Sequence, residues 1–137
     1  MGKKILVFSI SFLLAVNACA TVPRTSLSAD RLSVLQGRWE GKRDITQAGY
    51  RSSDYAVLDI YNDTVPLRGQ ISIAFMEGTD TRVYPFENGG IDPQGNFSAE
   101  LQPGIRFLVS LYEGKEIKLD GSYFLRGNEG RLTLFKK

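Results

Sequence analysis

The side chains that most often carry enzyme chemistry are scarce in this chain. It has no histidine and a single cysteine, Cys19, so the commonest general base and the commonest zinc ligand are both missing. A catalytic site would therefore have to use carboxylates, tyrosine or lysine. The candidate carboxylates are Glu40, Asp44, Asp59 and Asp120. We interpret each of them as an outward residue of a strand, solvated rather than catalytic.

Two short motifs resemble catalytic or ligand-binding loops but lack an essential part. Ser52-Ser53-Asp54 places hydroxyls beside a carboxylate, but no histidine is present to activate a serine, and we predict a solvated turn. Asn88-Gly89-Gly90 is predicted to be a hairpin turn rather than a phosphate loop. We expect no cofactor, no zinc- or iron-dependent activity, and a protein that is not an enzyme.

The residues before Cys19 have the features of a secretory signal, which indicates a role for this cysteine other than catalysis. Met1-Gly2-Lys3-Lys4 is a basic start, and Ile5 to Val16 is a mostly apolar run. These two features are typical of a secretory signal. A membrane-spanning helix needs about 20 apolar residues, and this run is shorter and interrupted by serines. The pattern therefore favours a signal over a transmembrane span.

The apolar run ends in Val16-Asn17-Ala18-Cys19, which resembles the signal of bacterial lipoproteins. The resemblance implies removal of residues 1–18, acylation of Cys19, and a membrane anchor in the bacterial cell envelope. Because Ala20 rather than aspartate follows the cysteine, it also implies the periplasmic face of the outer membrane if the cell is Gram-negative. Ordinary signal-peptidase cleavage stays an alternative, since Ala18-Cys19-Ala20 fits an A-x-A-like site.

Processing would change the charge of the protein. The chain has 17 basic and 15 acidic residues, and loss of Lys3 and Lys4 with the signal would bring both counts to 15. A neutral domain lacks the basic footprint of a nucleic-acid-binding protein, so no nucleic-acid partner is expected. With Cys19 acylated, no thiol remains for a disulfide. We expect one domain, monomeric and stabilised by an ordinary core.

The periodicity of the chain changes at Gly37. Residues 19–34 are predicted to be a lipidated tether that contains a short helical turn. From residue 37 onward, apolar residues recur with period two, which is typical of strands with one buried face. Turn residues divide this region into eight predicted strands, at about 37–46, 54–62, 67–76, 81–87, 95–102, 104–112, 115–126 and 130–136.

Eight short strands joined by tight turns predict an all-β domain over residues 35–137. Such an antiparallel meander removes its edges by closing into an up-and-down barrel. A two-sheet β-sandwich is the alternative, although it needs a long crossover. In a closed barrel, Trp39 lies beside Phe135 and Lys136, and the lysine stem can cross the indole ring.

The start of the first predicted strand, Gly37-Arg38-Trp39, resembles the glycine-x-tryptophan opening of the calycins, which include lipocalins, fatty-acid-binding proteins and avidins. The resemblance implies a lipocalin-like closed barrel with space for an apolar ligand. In lipocalins, an arginine after the last strand covers the equivalent tryptophan, and Lys136 would take its place here. Gly37, Trp39 and Lys136 are therefore the predicted barrel-closing residues.

Two functions of different classes remain open at this point. The barrel could bind a lipid, a hydrophobic small molecule or another envelope component. Alternatively, it could be a protein-interaction module, such as a periplasmic inhibitor or an accessory subunit of an envelope complex. The size of the interior cavity distinguishes them, because a filled barrel leaves no room for a ligand and moves function to the outer surface or the loops, whereas a hollow barrel favours transport or sequestration. The predicted inward aromatic residues are Trp39, Phe75, Phe97, Phe107 and Tyr123.

Overall fold

A computed structural model describes residues 21–75 and 80–137. The predicted signal peptide, 1–18, and the lipidation site, Cys19, lie outside these residues. A 3-10 helix covers Ala29–Val34. The strands are β1 (Arg24–Thr25), β2 (Gly37–Gln47), β3 (Tyr50–Ile60), β4 (Leu67–Ala74), β5 (Thr81–Ile91), β6 (Phe97–Gln102), β7 (Ile105–Glu113), β8 (Ile117–Leu125) and β9 (Asn128–Lys136).

Strands β2 to β9 form a closed antiparallel barrel. Each strand pairs with the next one along the chain, and β9 returns to pair with β2. The predicted eight-stranded up-and-down barrel is therefore confirmed, and the sandwich alternative is wrong. The short strand β1 is an addition that was not predicted, and it pairs with the end of β7.

The pairing between β5 and β6 is the shortest in the barrel. Its register consists of Gly90 opposite Ser98 and Ile91 opposite Phe97. Beyond these pairs, the Asn88 side chain takes over part of the backbone's role. Asn88 Nδ2 donates to the Glu100 carbonyl oxygen at 3.2 Å, and Asn88 Oδ1 accepts from the Glu100 amide at 3.1 Å. The Asn88 side-chain amide thus extends the hydrogen bonding between β5 and β6, the β5–β6 seam, beyond the regular strand pairing.

Large side chains fill the middle of the barrel. Trp39, Phe97, Phe107 and Tyr123 are completely buried. The rings of Phe97 and Phe107 meet edge to face, with their centroids 5.3 Å apart, a favoured geometry for aromatic pairs. The fifth predicted inward aromatic residue, Phe75, is half-buried and lies just beyond the end of β4. Any ligand site must therefore lie near an end of the barrel or outside it.

The two ends of the barrel differ. The capped end is the one where β2 begins and β9 ends, and it is covered by the 3-10 helix, whose Leu32 is buried in the core. The open end is the opposite one. It carries the β2–β3, β4–β5, β6–β7 and β8–β9 connections. Within residues 21–75 and 80–137 only the capped end is covered by a helix, so the open end is the natural entrance to the barrel.

The three predicted barrel-closing residues lie together at the capped end. Trp39 is the register partner of Lys136, whose Nζ lies 4.8 Å from the centre of the indole ring. The same Nζ donates to the carbonyl oxygens of Val34 and Gln36, and burial lowers the pKa of Lys136 below its ordinary value. Gly37 has a φ of 117°, a left-handed conformation that favours glycine.

The described part of the predicted tether, from residue 21 onward, packs against the barrel. Leu27 is buried, and its amide donates to the Gly95 carbonyl oxygen at 3.0 Å. Arg24 donates to Asn96 Oδ1 at 2.7 Å, and Val22 lies against Gly114 in the β7–β8 turn. The polar composition of the segment before the 3-10 helix gave no sign of this docking, to which the buried Leu27 contributes.

The predicted turns at Ser52-Ser53-Asp54 and Asn88-Gly89-Gly90 are wrong, since both segments lie inside strands. The β2–β3 turn consists of Ala48 and Gly49, with φ values of 48° and 80°, as in a type I′ hairpin. Strand β3 therefore begins at Tyr50 rather than residue 54. The predicted turn at Asn88-Gly89-Gly90 lies inside β5 instead, where a Cβ on Gly89 would come within 2.7 Å of Leu67 Cβ. Glycine is needed there for close packing rather than for turning.

Replacement of Gly121 in β8 by alanine should strain the barrel wall. The added Cβ would lie 2.1 Å from the backbone oxygen of Leu108 on β7, so the two strands must separate. We expect Gly121→Ala to lower the free energy of unfolding by about 1–3 kcal/mol, measured by urea denaturation. Gly90→Ala is the matched control, since a Cβ at this position would lie 4.0 Å from the backbone oxygen of Asn88, an ordinary van der Waals distance. Equal destabilisation by both variants would contradict this strain.

Candidate functional site

Each of the four candidate carboxylates lies in an ion pair with a partly exposed arginine or lysine. The pairs and their N–O distances are Arg38–Asp59 at 3.0 Å, Lys42–Asp44 at 3.6 Å, Lys137–Glu40 at 3.5 Å and Arg131–Asp120 at 2.6 Å. Within residues 21–75 and 80–137, no cluster of three or more acidic side chains could hold a metal ion. The same part of the chain contains no helix that is long and apolar enough to span a membrane.

Asp120 should make the stability of the barrel depend on pH. Hydrogen bonds from Arg131, at 2.9 and 2.6 Å, hold the pKa of this carboxyl below its usual value, helped by the Arg131 charge and by Thr133. A depressed pKa in the folded state stabilises the protein above the unfolded pKa of about 4, and this contribution is lost as pH falls through the folded value. We expect Asp120→Asn to cost up to about 1 kcal/mol at neutral pH and little in acid.

Urea unfolding of wild type and Asp120→Asn over a pH series measures this effect. Asp63→Asn is a suitable control, because Asp63 lies exposed in the β3–β4 loop. A difference between wild type and Asp120→Asn that stays constant from neutral to acidic pH would contradict the expectation.

One ion pair lies inside the barrel, near its open end. Arg43 on β2 and Asp54 on β3 are register partners, and each is only 2% exposed. Arg43 NH2 lies 2.7 Å from Asp54 Oδ2, and Ser52 Oγ donates to the same oxygen at 3.0 Å. The prediction of a solvated turn at Ser52-Ser53-Asp54 is therefore wrong. Because the β2–β3 turn occupies residues 48–49, β3 starts early and Asp54 falls at an inward position.

Aromatic rings surround the buried guanidinium group. The Arg43 Cζ atom lies 4.9 Å from the centre of the Tyr123 ring and 5.5 Å from that of Phe75. Burial raises the pKa of Tyr123, and the nearby Arg43 charge partly opposes this shift. Arg43 Nε and the Tyr123 hydroxyl are both buried without a hydrogen-bond partner among the described residues.

A pocket of about 230 Å³ opens at this end of the barrel. Three of its lining side chains are apolar and three are cationic or amide: Phe75, Ile105, Leu125, Gln47, Arg82 and Arg126. The Arg82 guanidinium lies 5.6 Å from the centre of the Phe75 ring. Phe75 therefore contacts both the buried arginine and the rim arginine. The volume is below the roughly 300–1,000 Å³ of typical pockets for drug-sized ligands.

Backbone geometry positions the two rim arginines. Arg126 and Gly127 form the β8–β9 turn, with φ values of 47° and 88°, and the Arg126 amide donates to the Gly104 carbonyl oxygen at 2.8 Å. This bond ties two of the open-end turns together. Arg82 is the register partner of the buried Ile73, which places it on the inward face of β5 at the rim.

Sequence reasoning placed the apolar lining residues Phe75, Ile105 and Leu125 on the buried faces of strands, but it did not identify Gln47, Arg82 or Arg126 as site residues. A usable signal was present in the strand pattern. Arg43 and Arg82 share the inward parity of their apolar neighbours, and an arginine at such a position is unusual. Arg126 gave no comparable signal, because turn residues are commonly charged.

A scan of protein-family models, a search of curated proteins and a search of solved structures each found no match to this chain. The likeness to a lipocalin-like barrel is therefore one of architecture, carried by the strand order and the closing β2–β9 pairing.

Proposed function

We propose that this protein is a non-catalytic, lipid-anchored component of the bacterial cell envelope that binds a hydrophobic or amphipathic molecule at the open end of its barrel. The observation that carries the proposal is the open-end pocket, where Phe75, Ile105 and Leu125 form an apolar wall beside polar groups. The core below is filled, so the ligand is held at the mouth.

The position of the chain start supports this arrangement. Val22 lies against the β7–β8 turn at the capped end, and Cys19 precedes it by three residues. An anchor at Cys19 would therefore hold the capped end towards the membrane. The pocket would then face away from the lipid surface, on the periplasmic face of the outer membrane in a Gram-negative cell.

Native mass spectrometry of the protein purified from its own host tests the proposed binding function. We expect a small molecule that co-purifies with the folded protein and is released on unfolding. Detection of the ligand-free mass alone, under conditions that preserve a known lipocalin complex, would count against the proposal.

The anchor itself is tested by Cys19→Ser. This change removes the sulfur atom that would carry the lipid, so we expect an unprocessed or soluble protein without incorporated fatty acid. Metabolic labelling with a fatty-acid analogue measures the result, and Ser26→Ala serves as the control that keeps full labelling. Equal labelling of Cys19→Ser and wild type would show that the lipoprotein interpretation is wrong.

A protein-interaction role is the second candidate, and the outer wall of the barrel favours it. Tyr55 on β3 and Val83 on β5 are 48% and 51% exposed. Both point outward, since their chain neighbours Ala56 and Tyr84 are buried. Exposed apolar side chains on a filled barrel suit a protein partner better than a small ligand. Cross-linking of the protein in intact cells, with Tyr55→Ser and Val83→Ser as variants, would identify such a partner.

A further inference from the structure

The charge of the open-end pocket indicates what kind of ligand it fits. Arg82 and Arg126 line the pocket, and neither has a carboxylate within ion-pair distance in the described part of the chain. The buried Arg43 differs, because Asp54 neutralises it and Phe75 lies against it. Among the described residues, the arginines of this pocket that have no carboxylate partner therefore lie at its rim rather than in its floor.

The apolar side of the pocket limits the rest of the ligand. Phe75, Ile105 and Leu125 line the same pocket as the two arginines and supply its apolar surface. The pocket volume of about 230 Å³ suits a compact body rather than a long chain. A full acyl chain would need the barrel interior, which Phe97, Phe107 and Tyr123 already occupy.

We propose that the pocket binds a small amphipathic anion, whose charged group lies between Arg82 and Arg126 and whose compact apolar body packs against Phe75. The proposal rests on the proposed binding function and adds the charge and size of the ligand. Guanidinium groups suit this role because they hold carboxylate or phosphate oxygens through charge-assisted hydrogen bonds. Gln47 supplies an amide beside them.

Two probes of nearly identical shape distinguish the contribution of the ligand's charge to affinity from that of its apolar contacts. 2-Naphthoate carries the anionic group, and 2-naphthamide replaces it with a neutral amide on the same ring system. Isothermal titration calorimetry on the full chain in phosphatidylcholine nanodiscs, with protein-free nanodiscs as the blank, measures both affinities. We expect 2-naphthoate to bind at least about tenfold more tightly than 2-naphthamide, with the difference shrinking at high salt because the rim is exposed.

Variants of the two arginines assign the effect to the pocket. Arg82→Gln and Arg126→Asn should each weaken 2-naphthoate binding by about tenfold and leave 2-naphthamide binding nearly unchanged. Asparagine is chosen at position 126 because it tolerates the positive φ there. Arg68→Gln is the matched control, since Arg68 is an exposed arginine at the capped end. Circular dichroism confirms that each variant is folded.

The outcomes distinguish this proposal from the broader binding function. Equal affinity for both probes, or 2-naphthoate binding that survives both arginine variants, would overturn the anion site while leaving an apolar binding function intact. Failure of both probes to bind would also overturn the anion site. The co-purification experiment would then decide the broader function on its own.

Discussion

Replacement of Asp54 by alanine should lower the free energy of unfolding by about 3–5 kcal/mol. The reason is that Arg43 would keep its positive charge inside the barrel with no carboxylate beside it. The pair is 2.7 Å apart, and both side chains are 3% exposed, so the guanidinium group is held away from bulk water. Against a total stability of about 5–15 kcal/mol for a domain, this loss is large. Urea denaturation followed by circular dichroism measures it.

A matched control lies on the same two strands. Asp59 on β3 pairs with Arg38 on β2 at 3.0 Å, but that arginine is 58% exposed. We expect Asp59→Ala to cost no more than about 1 kcal/mol. The double variant Arg43→Met/Asp54→Leu should recover most of the loss, since an apolar pair of similar volume avoids the buried charge. Equal effects of Asp54→Ala and Asp59→Ala would refute this account.

A second large effect is expected at the capped end, for Trp39→Ala. Trp39 is completely buried, and its Nε1 donates to the Leu35 carbonyl oxygen at 2.8 Å. Its removal would leave a cavity under the 3-10 helix and release the contact with Lys136. Deletion of a buried aromatic side chain of this size costs about 3–5 kcal/mol. Trp39 is the only tryptophan, so circular dichroism rather than fluorescence must follow the unfolding.

The control for Trp39→Ala is Tyr61→Ala. Tyr61 is an aromatic residue at the same end of the barrel, but it is 57% exposed. Its replacement should change the stability by about 0.5 kcal/mol or less, as is usual at the surface. A Trp39→Ala protein as stable as the Tyr61→Ala protein would show that the capped end is not held by the indole.

The barrel could be predicted from the sequence because the patterns that specify its strands and turns are local. Alternation such as that of Ile105, Phe107 and Val109 fixes which face of a strand is buried. Tight turns such as Pro103-Gly104 then leave adjacent antiparallel strands as the simplest arrangement. Closure followed from the number of strands rather than from any single residue.

The open-end pocket could not be predicted in the same way, because it depends on exact register. A shift in the start of β3, from residue 54 to Tyr50, moved Asp54 from an expected turn into the interior beside Arg43. The dipeptide Ala48-Gly49 carries a weaker hairpin signal than Asn-Gly or Asp-Gly, so the sequence alone did not show where β3 begins. The residues that line the pocket lie in or beside the four open-end connections, which are far apart in the sequence.

The short β5–β6 pairing determines where the folded barrel can open. Elsewhere the wall is joined by long ladders of backbone hydrogen bonds, but this seam has two register pairs and the Asn88 side chain. Local fluctuations break the fewest interactions there. Separation of β5 from β6 alone would convert the barrel into a curled open sheet in which all the other strand pairings are kept. We therefore expect breathing motions of the native state to be concentrated in this seam, beside Phe97 and Phe107, and the filled core to gain transient contact with water there.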